Sequence, residues 1–136
     1  MDTNYTQEIT ELHQFFQDYF TGNIPFEGVS RFDLTLADGF TLIDSAAEII
    51  QHDEIKQIMR QLHGQRAGRR IWVENIVLRH DLDDVVIATY EEWQASDEMT
   101  TQRACTVIFK KDSSALNGLL WLHVHESGLR EVVQQD

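Results

Sequence analysis

Apolar residues recur every three to four positions near the start of the chain: Ile9, Leu12, Phe15, Phe16, Tyr19 and Phe20. Gln7, Glu8, Glu11, Gln14, Gln17 and Asp18 fall largely between them. This spacing predicts an amphipathic helix. Thr3, Asn4 and Thr6 are its capping candidates, and Gly22-Asn23 with Pro25 beyond is its stop. IPFEGVSRF (24–32) fits a short helix, and DLTLADGFTLID (33–44) alternates around Asp38-Gly39 as a hairpin would. In HDEIKQIMRQLHG (52–64), Ile55, Ile58, Met59 and Leu62 form one apolar face, with Gly64 ending the helix.

After Gly64 the period changes to two. RRIWVENIVLRH, DVVIATYEEWQA, TTQRACTVIFKK and LLWLHVHES read as four strands, joined by 81–84, 96–99 and the longer 112–118. Short connections between successive strands imply an antiparallel meander. Helices first and a sheet after them describe an α+β domain, with helices packed on one face of a curved, mainly antiparallel sheet. Residues 1–136 are expected to form a single domain.

Tight turns fix strand register, so facing residues can be estimated. Centring one turn on Asp97-Glu98 sets Glu92 opposite Arg103, Tyr90 opposite Cys105 and Ala88 opposite Val107. Centring the preceding turn on Leu82-Asp83 sets Asn75 opposite Tyr90, Val73 opposite Glu92 and Arg79 opposite Val86. If Lys110 faces Leu119, Arg103 falls opposite Glu126. One sheet face then gathers Asn75, Arg79, Tyr90, Glu92, Arg103, Cys105, Val107, Val124 and Glu126. A guanidinium between two carboxylates should pair with both. In an apolar concavity such a polar floor suits proton transfer: Glu92 is the candidate base and Tyr90 the candidate hydrogen-bond donor. Arg103, Glu126, Asn75 and Val124 are the candidate ligand-binding residues. A salt bridge that merely fixes the sheet is the competing reading, and two acids facing one arginine leave a surplus negative charge.

Composition narrows the field. The net charge of −12, from 23 acidic and 11 basic residues, argues against nucleic acid or anionic lipid as a partner. No apolar run approaches the ~20 residues of a spanning helix, no signal peptide is visible in MDTNYTQEITEL, and a cytoplasmic location is expected. Cys105 is the single cysteine, read as a small buried hydrophobe rather than a nucleophile. No cofactor is indicated.

His123 and His125 share one strand face, and Trp121 is expected beside them on that face. Two histidines so spaced are compatible with zinc or iron, but a third ligand is not evident and the motif is short. Packing at a subunit contact is the preferred reading, so no metal is assigned, and a His-x-His metalloprotein stays as an alternative. Trp72 and Trp93 fall opposite one another on the same outer face, apolar enough to be buried in a homodimer.

The order of elements, together with WLHVHESG near the end, resembles the nuclear transport factor 2-like superfamily, also called SnoaL-like or ketosteroid-isomerase-like. His123, His125, Ser127 and Gly128 match the closing strand of the association domain of calmodulin-dependent kinase II, with Trp121 one residue closer to the first histidine. IATYEEW and RACTVIF are similar to small bacterial relatives. The resemblance implies a cone-shaped fold, a pocket between the concave sheet face and the helices, and a dimer through the outer sheet face carrying Trp72, Trp93, His123 and His125. Glu126 and Val107 stand where the association domain has arginines, so a shared anionic ligand is not implied. Superfamily members include isomerases, cyclases, dehydratases and non-catalytic association modules. The expectations are therefore a small-organic-ligand pocket protein acting through a carboxylate base or, alternatively, an association module.

Overall fold

The computed structural model describes residues 4–133; the capping candidate Thr3 lies outside them. Helix α1 spans Tyr5–Thr21. Its start is fixed by the Asn4 side chain, which accepts a hydrogen bond from the Gln7 N–H at 3.0 Å. Its end is fixed by Gly22, whose φ of 82° closes the last turn in a conformation that side-chain-bearing residues avoid. A 3₁₀ turn at Phe26–Gly28 leads into α2, Val29–Asp33, so IPFEGVSRF is helical as expected. Helix α3 spans His52–Gln61 behind a capping box formed by Gln51 and Glu54.

The strands are β1 Leu36–Ile43, β2 Ile49–Gln51, β3 Arg70–Asp81, β4 Val85–Ala95, β5 Thr100–Lys111 and β6 Leu119–Glu131. They form one six-stranded sheet in the order β2-β1-β6-β5-β4-β3. The meander β3 to β6 is antiparallel throughout, and β1 joins β6 in parallel. The expected hairpin at Asp38-Gly39 is corrected: those residues lie within β1, where Gly39 (φ 80°) accompanies a register shift between Leu36 and Thr41. A glycine with positive φ inside alternating sequence marks a bulge as well as a turn, and here the bulge bends a single strand.

The core fills the space between the helices and the inner sheet face. Ile9, Leu12, Tyr19 and Phe32 from the helices meet Val86, Ala88, Val107 and Phe109 from the strands. At roughly 1.5–3 kcal/mol per fully buried large apolar side chain, this cluster dominates the stabilisation of the fold. The outer sheet face carries the Trp72–Trp93 pair, stacked at 5.8 Å with 14° between the rings. Among the described residues, no helix is long and apolar enough to cross a membrane.

Irregularities in two strand pairs reset the expected register. Strand β3 is irregular between Glu74 and Val77 and again between Leu78 and His80, so Asn75 does not face Tyr90 and Arg79 does not face Val86. Strands β5 and β6 slip between Ile108 and Phe109, which brings Trp121 opposite Phe109 and into the core. Trp121 is therefore not on the face of the histidine pair. Lys111, not Lys110, faces Leu119, and Cys105, not Arg103, faces Glu126.

Candidate functional site

Beneath α1 and α3 the inner sheet face lines a partly open cavity of about 80 Å³. Its walls are largely apolar, supplied by Phe16, Phe32, Phe40, Met59 and others. Its polar lining consists of His13, Tyr90, Glu92 and Glu126. Glu92 and Tyr90 alternate on β4 so that both point inward, and Glu126 reaches the same floor from β6. Val124 lines the cavity as well.

Glu92 is the most heavily bonded of these groups. Its Oε1 meets His13 Nε2 at 2.9 Å. Its Oε2 accepts from Gln94 Nε2 at 2.8 Å and lies 3.3 Å from Arg103 Nε. Arg103 Nη1 donates to Glu126 Oε1 at 3.1 Å. The guanidinium thus bridges both carboxylates, as expected, although it reaches Glu126 diagonally rather than from the facing position.

His13 was not anticipated. It is 2 % exposed, and its Nδ1 lies 2.8 Å from the carbonyl oxygen of Ile9. Both ring nitrogens therefore face acceptors, a carbonyl and a carboxylate. With one N–H on a neutral ring, His13 can donate to one of them at a time. Its sequence signal was its place in the apolar stripe of α1, four residues after Ile9 and three before Phe16.

Electrostatics separate the two glutamates. Burial alone would raise the Glu92 carboxyl, but hydrogen bonding and charge from His13, with Arg103 behind them, hold it down at about 2. Glu126 goes the other way: burial and the neighbouring Glu92 carboxylate raise it, against the opposing pull of Arg103. Burial, helped by Cys105 and Glu92, also lifts the Tyr90 phenol well above its ordinary value, so it stays protonated. Burial pushes the Cys105 thiol strongly up as well, leaving it without the thiolate a nucleophile needs.

Other expected residues lie elsewhere. Asn75 occupies the β3 bulge with φ 55°, exposed, and donates to Glu91. Arg79 donates to Thr89. His123 bonds the Thr41 hydroxyl at 2.7 Å, and His125 is exposed. Among the described residues, neither histidine belongs to a group of three donors able to share an ion. The group that does, Glu92, Cys105 and Glu126, has its donor atoms within 4.8 Å of one another. The Arg103 guanidinium already supplies positive charge to both of its carboxylates.

A second buried acid escaped notice because it was counted with the polar positions of α1. Glu8 is fully buried. It accepts from Trp121 Nε1 at 2.7 Å, Asn117 Nδ2 at 3.0 Å and the Thr35 hydroxyl at 3.2 Å, with Arg31 3.6 Å away. This carboxylate ties α1 to β6 and orients Trp121, one wall of the cavity. The stripe Glu8, Leu12, Phe15, Tyr19 has spacings of four, three and four, which was the available signal.

Comparison with solved structures finds the same fold. A nuclear transport factor 2-like protein of unknown function from Pseudomonas aeruginosa superposes with a TM-score of 0.84 at 22% identity, covering 90% of this chain and 96% of that one. A nuclear transport factor 2-like protein from Cytophaga hutchinsonii gives 0.64 at 13% identity, covering 92% and 98%. The CaMKII hub of S. rosetta gives 0.59 at 15% identity, covering 74% and 84%. The expected nuclear transport factor 2-like fold is thus borne out. In sequence, the chain is 22% identical to sucrose-phosphatase 2 of Nicotiana tabacum over 136 residues, 95% of this chain and 32% of that protein. It is 28% identical to a probable sucrose-phosphatase 2 of Arabidopsis thaliana over 95 residues, 68% of this chain and 22% of that protein. The chain spans about a third or less of the curated relatives it matches. The family model described as sucrose-6-phosphate phosphohydrolase C-terminal matches residues 6–130, nearly the whole length, and the chain therefore belongs to that family, carried on a nuclear transport factor 2-like fold.

Proposed function

We propose that this domain binds a small organic molecule in the cavity under α1 and α3, with Glu126 as proton acceptor and Tyr90 as hydrogen-bond donor. The observation that carries the reading is the division of labour between the two carboxylates. Glu92 is saturated with donors and held at about 2, a weak base committed to fixing His13 and Arg103. Glu126 accepts one hydrogen bond, from Arg103 to Oε1, and its carboxyl is raised. A raised carboxyl is the stronger base near neutral pH. The base role first given to Glu92 passes in this reading to Glu126, while Glu92 and Arg103 position it. Val124 contributes apolar wall, and Asn75 has no part.

Native mass spectrometry of gently purified protein tests this. The expected result is an organic adduct that is lost in Glu126→Gln and in Arg103→Ala. A clean, empty protein whose Glu126→Gln variant behaves identically towards every small molecule offered would overturn it.

One observation favours a second reading, association between copies. The Trp72–Trp93 stack is only partly buried and lies with exposed His125 on the outer sheet face, away from the described helices. The similarity to the CaMKII hub points the same way. In this reading Trp72, Trp93, His123 and His125 line a homodimer contact. Sedimentation at micromolar concentration should then give a dimer that Trp72→Glu with Trp93→Glu converts to a folded monomer. A wild-type monomer would rule this reading out.

A further inference from the structure

The family name points towards a sugar phosphate, but the charges and dimensions of the cavity point elsewhere. We infer that the pocket selects an uncharged, mainly apolar molecule of a few heavy atoms that donates one hydrogen bond to Glu126 Oε2, and that it excludes sugar phosphates and other ions. The inference rests on the pocket reading above and names the ligand class for that site.

The first argument is charge. Glu92 is met by His13 Nε2 and by Arg103, and Glu126 is met by Arg103. Each carboxylate already faces a basic side chain, so the floor has no basic group free to pair with an incoming anion. An anion arriving there meets two carboxylates, and a cation meets Arg103 and His13. A buried charge without a counter-charge costs several kcal/mol. A neutral ligand avoids that cost.

The second argument is free hydrogen-bonding capacity. Two polar groups of the lining are free: His13 has an acceptor against each nitrogen and Glu92 uses both oxygens, which leaves the Tyr90 hydroxyl as donor and one oxygen of Glu126 as acceptor. Glu126 Oε2 carries no hydrogen bond among the described residues and remains an open acceptor. Ten of the fourteen lining side chains are apolar, so a polyhydroxylated ligand would leave most of its hydroxyls unpaired.

The third is size. At about 80 Å³ the cavity is far below the roughly 300 Å³ where ordinary small-molecule sites begin. A separate cleft of about 280 Å³ lies between α1 and β3, lined by Gln14, Ile71 and Val73 among others, and it shares only His13 with the cavity. His13, held at both nitrogens and packed edge-on against Phe16 and Tyr90, is the partition that keeps the inner space small. A phosphorylated disaccharide does not fit behind it.

The experiment uses three probes of one size that differ in charge: 2-butanol, butyrate and butylammonium. Sucrose 6-phosphate is the fourth. Methyl NMR shifts of Leu42, Ile55 and Met59, which line the cavity, report binding. The expected result is saturable movement with 2-butanol, at least tenfold weaker binding of both ions, and no movement with sucrose 6-phosphate. Leu42→Trp, which fills the cavity without touching a polar group, should abolish the 2-butanol response. Glu126→Met should weaken it severalfold. If butyrate or butylammonium binds there as tightly as the alcohol, or sucrose 6-phosphate binds there at all, the ligand class is wrong while the pocket reading survives. If none of the four probes moves those methyls, both readings fall.

Discussion

Replacing Glu92 with glutamine removes one charge and almost no volume, so its cost measures how far the cavity floor depends on ionisation. A carboxyl that ionises at about 2 instead of the ordinary 4.5 favours its charged form in the folded protein by about 3 kcal/mol. An independent route gives a similar figure. Breaking a buried ion pair by removing one partner costs about 3–5 kcal/mol. Arg103 keeps Glu126 as a partner and is 19 % exposed, which places the value at the lower end. His13 has no such relief, being 2 % exposed with its Nε2 against Glu92.

The sign of the pH dependence follows from the depressed carboxyl. The stabilisation is fully present above about 4.5 and is lost as pH falls through about 2, where folded and unfolded chains are both protonated. Urea unfolding at pH 7 should show Glu92→Gln destabilised by about 3 kcal/mol. At roughly 1–3 kcal/mol per molar urea, the midpoint moves down by about 1–3 M. The difference between variant and wild type should shrink as the pH is lowered towards 2. A loss below about 1 kcal/mol at pH 7 would mean that His13 and Arg103 find other partners without strain. A loss of similar size at pH 7 and pH 2 would assign the effect to packing. Either result refutes the charge argument.

Glu126→Gln should do the reverse. A raised carboxyl in the folded state is a penalty at neutral pH that disappears as pH falls below its folded value, so the variant should gain stability at pH 7 relative to wild type and lose that advantage in acid; equal pH profiles for the two proteins would refute the assignment. Trp121→Phe keeps an aromatic ring against Phe109, whose centroid is 4.8 Å away, but deletes the donor to buried Glu8. It should cost about 1–3 kcal/mol in thermal or urea unfolding, and a cost under ~0.5 kcal/mol would show that Glu8 does not depend on it. Cys105 should resist iodoacetamide in native buffer, because burial and two carboxylates suppress its thiolate. Rapid stoichiometric labelling would refute that environment.

The meander and its central register were legible because β4 and β5 are regular. Glu92–Arg103, Tyr90–Cys105 and Ala88–Val107 all pair as counted from the turn. Counting failed at the irregular stretches of β3, where Asn75 and Arg79 sit, and across the β5–β6 slip, whereas Val73, beyond both β3 irregularities, pairs with Glu92 as counted. The positive φ at Asn75 marks such a point, and asparagine tolerates it better than most residues, but nothing in the surrounding alternation announces it. The slip near Trp121 was signalled only indirectly. A large aromatic among leucines belongs in the core, and the strict alternation that put it beside the histidines required it to lie outside.

The cavity floor was half legible for a different reason. Its strand residues announced themselves as charges at inward positions, whereas its helix residue did not, because polar residues on an amphipathic helix are assigned to solvent unless the stripe is tracked residue by residue. Tracked that way, the apolar face of α1 holds two polar intrusions, Glu8 and His13. Both are buried, and both are bonded to groups far along the chain, Trp121 and Glu92. Neither long-range partner is visible from the helix alone. What the sequence did contain was an imbalance, two acids to one arginine on the inner face, and buried carboxylates require further hydrogen-bonding partners. Searching the helix stripes for a basic or imidazole side chain at an inward position leads to His13. The same reasoning separates the pocket from a phosphate site: a floor whose basic side chains are already engaged by its own acids has none left over for a phosphate.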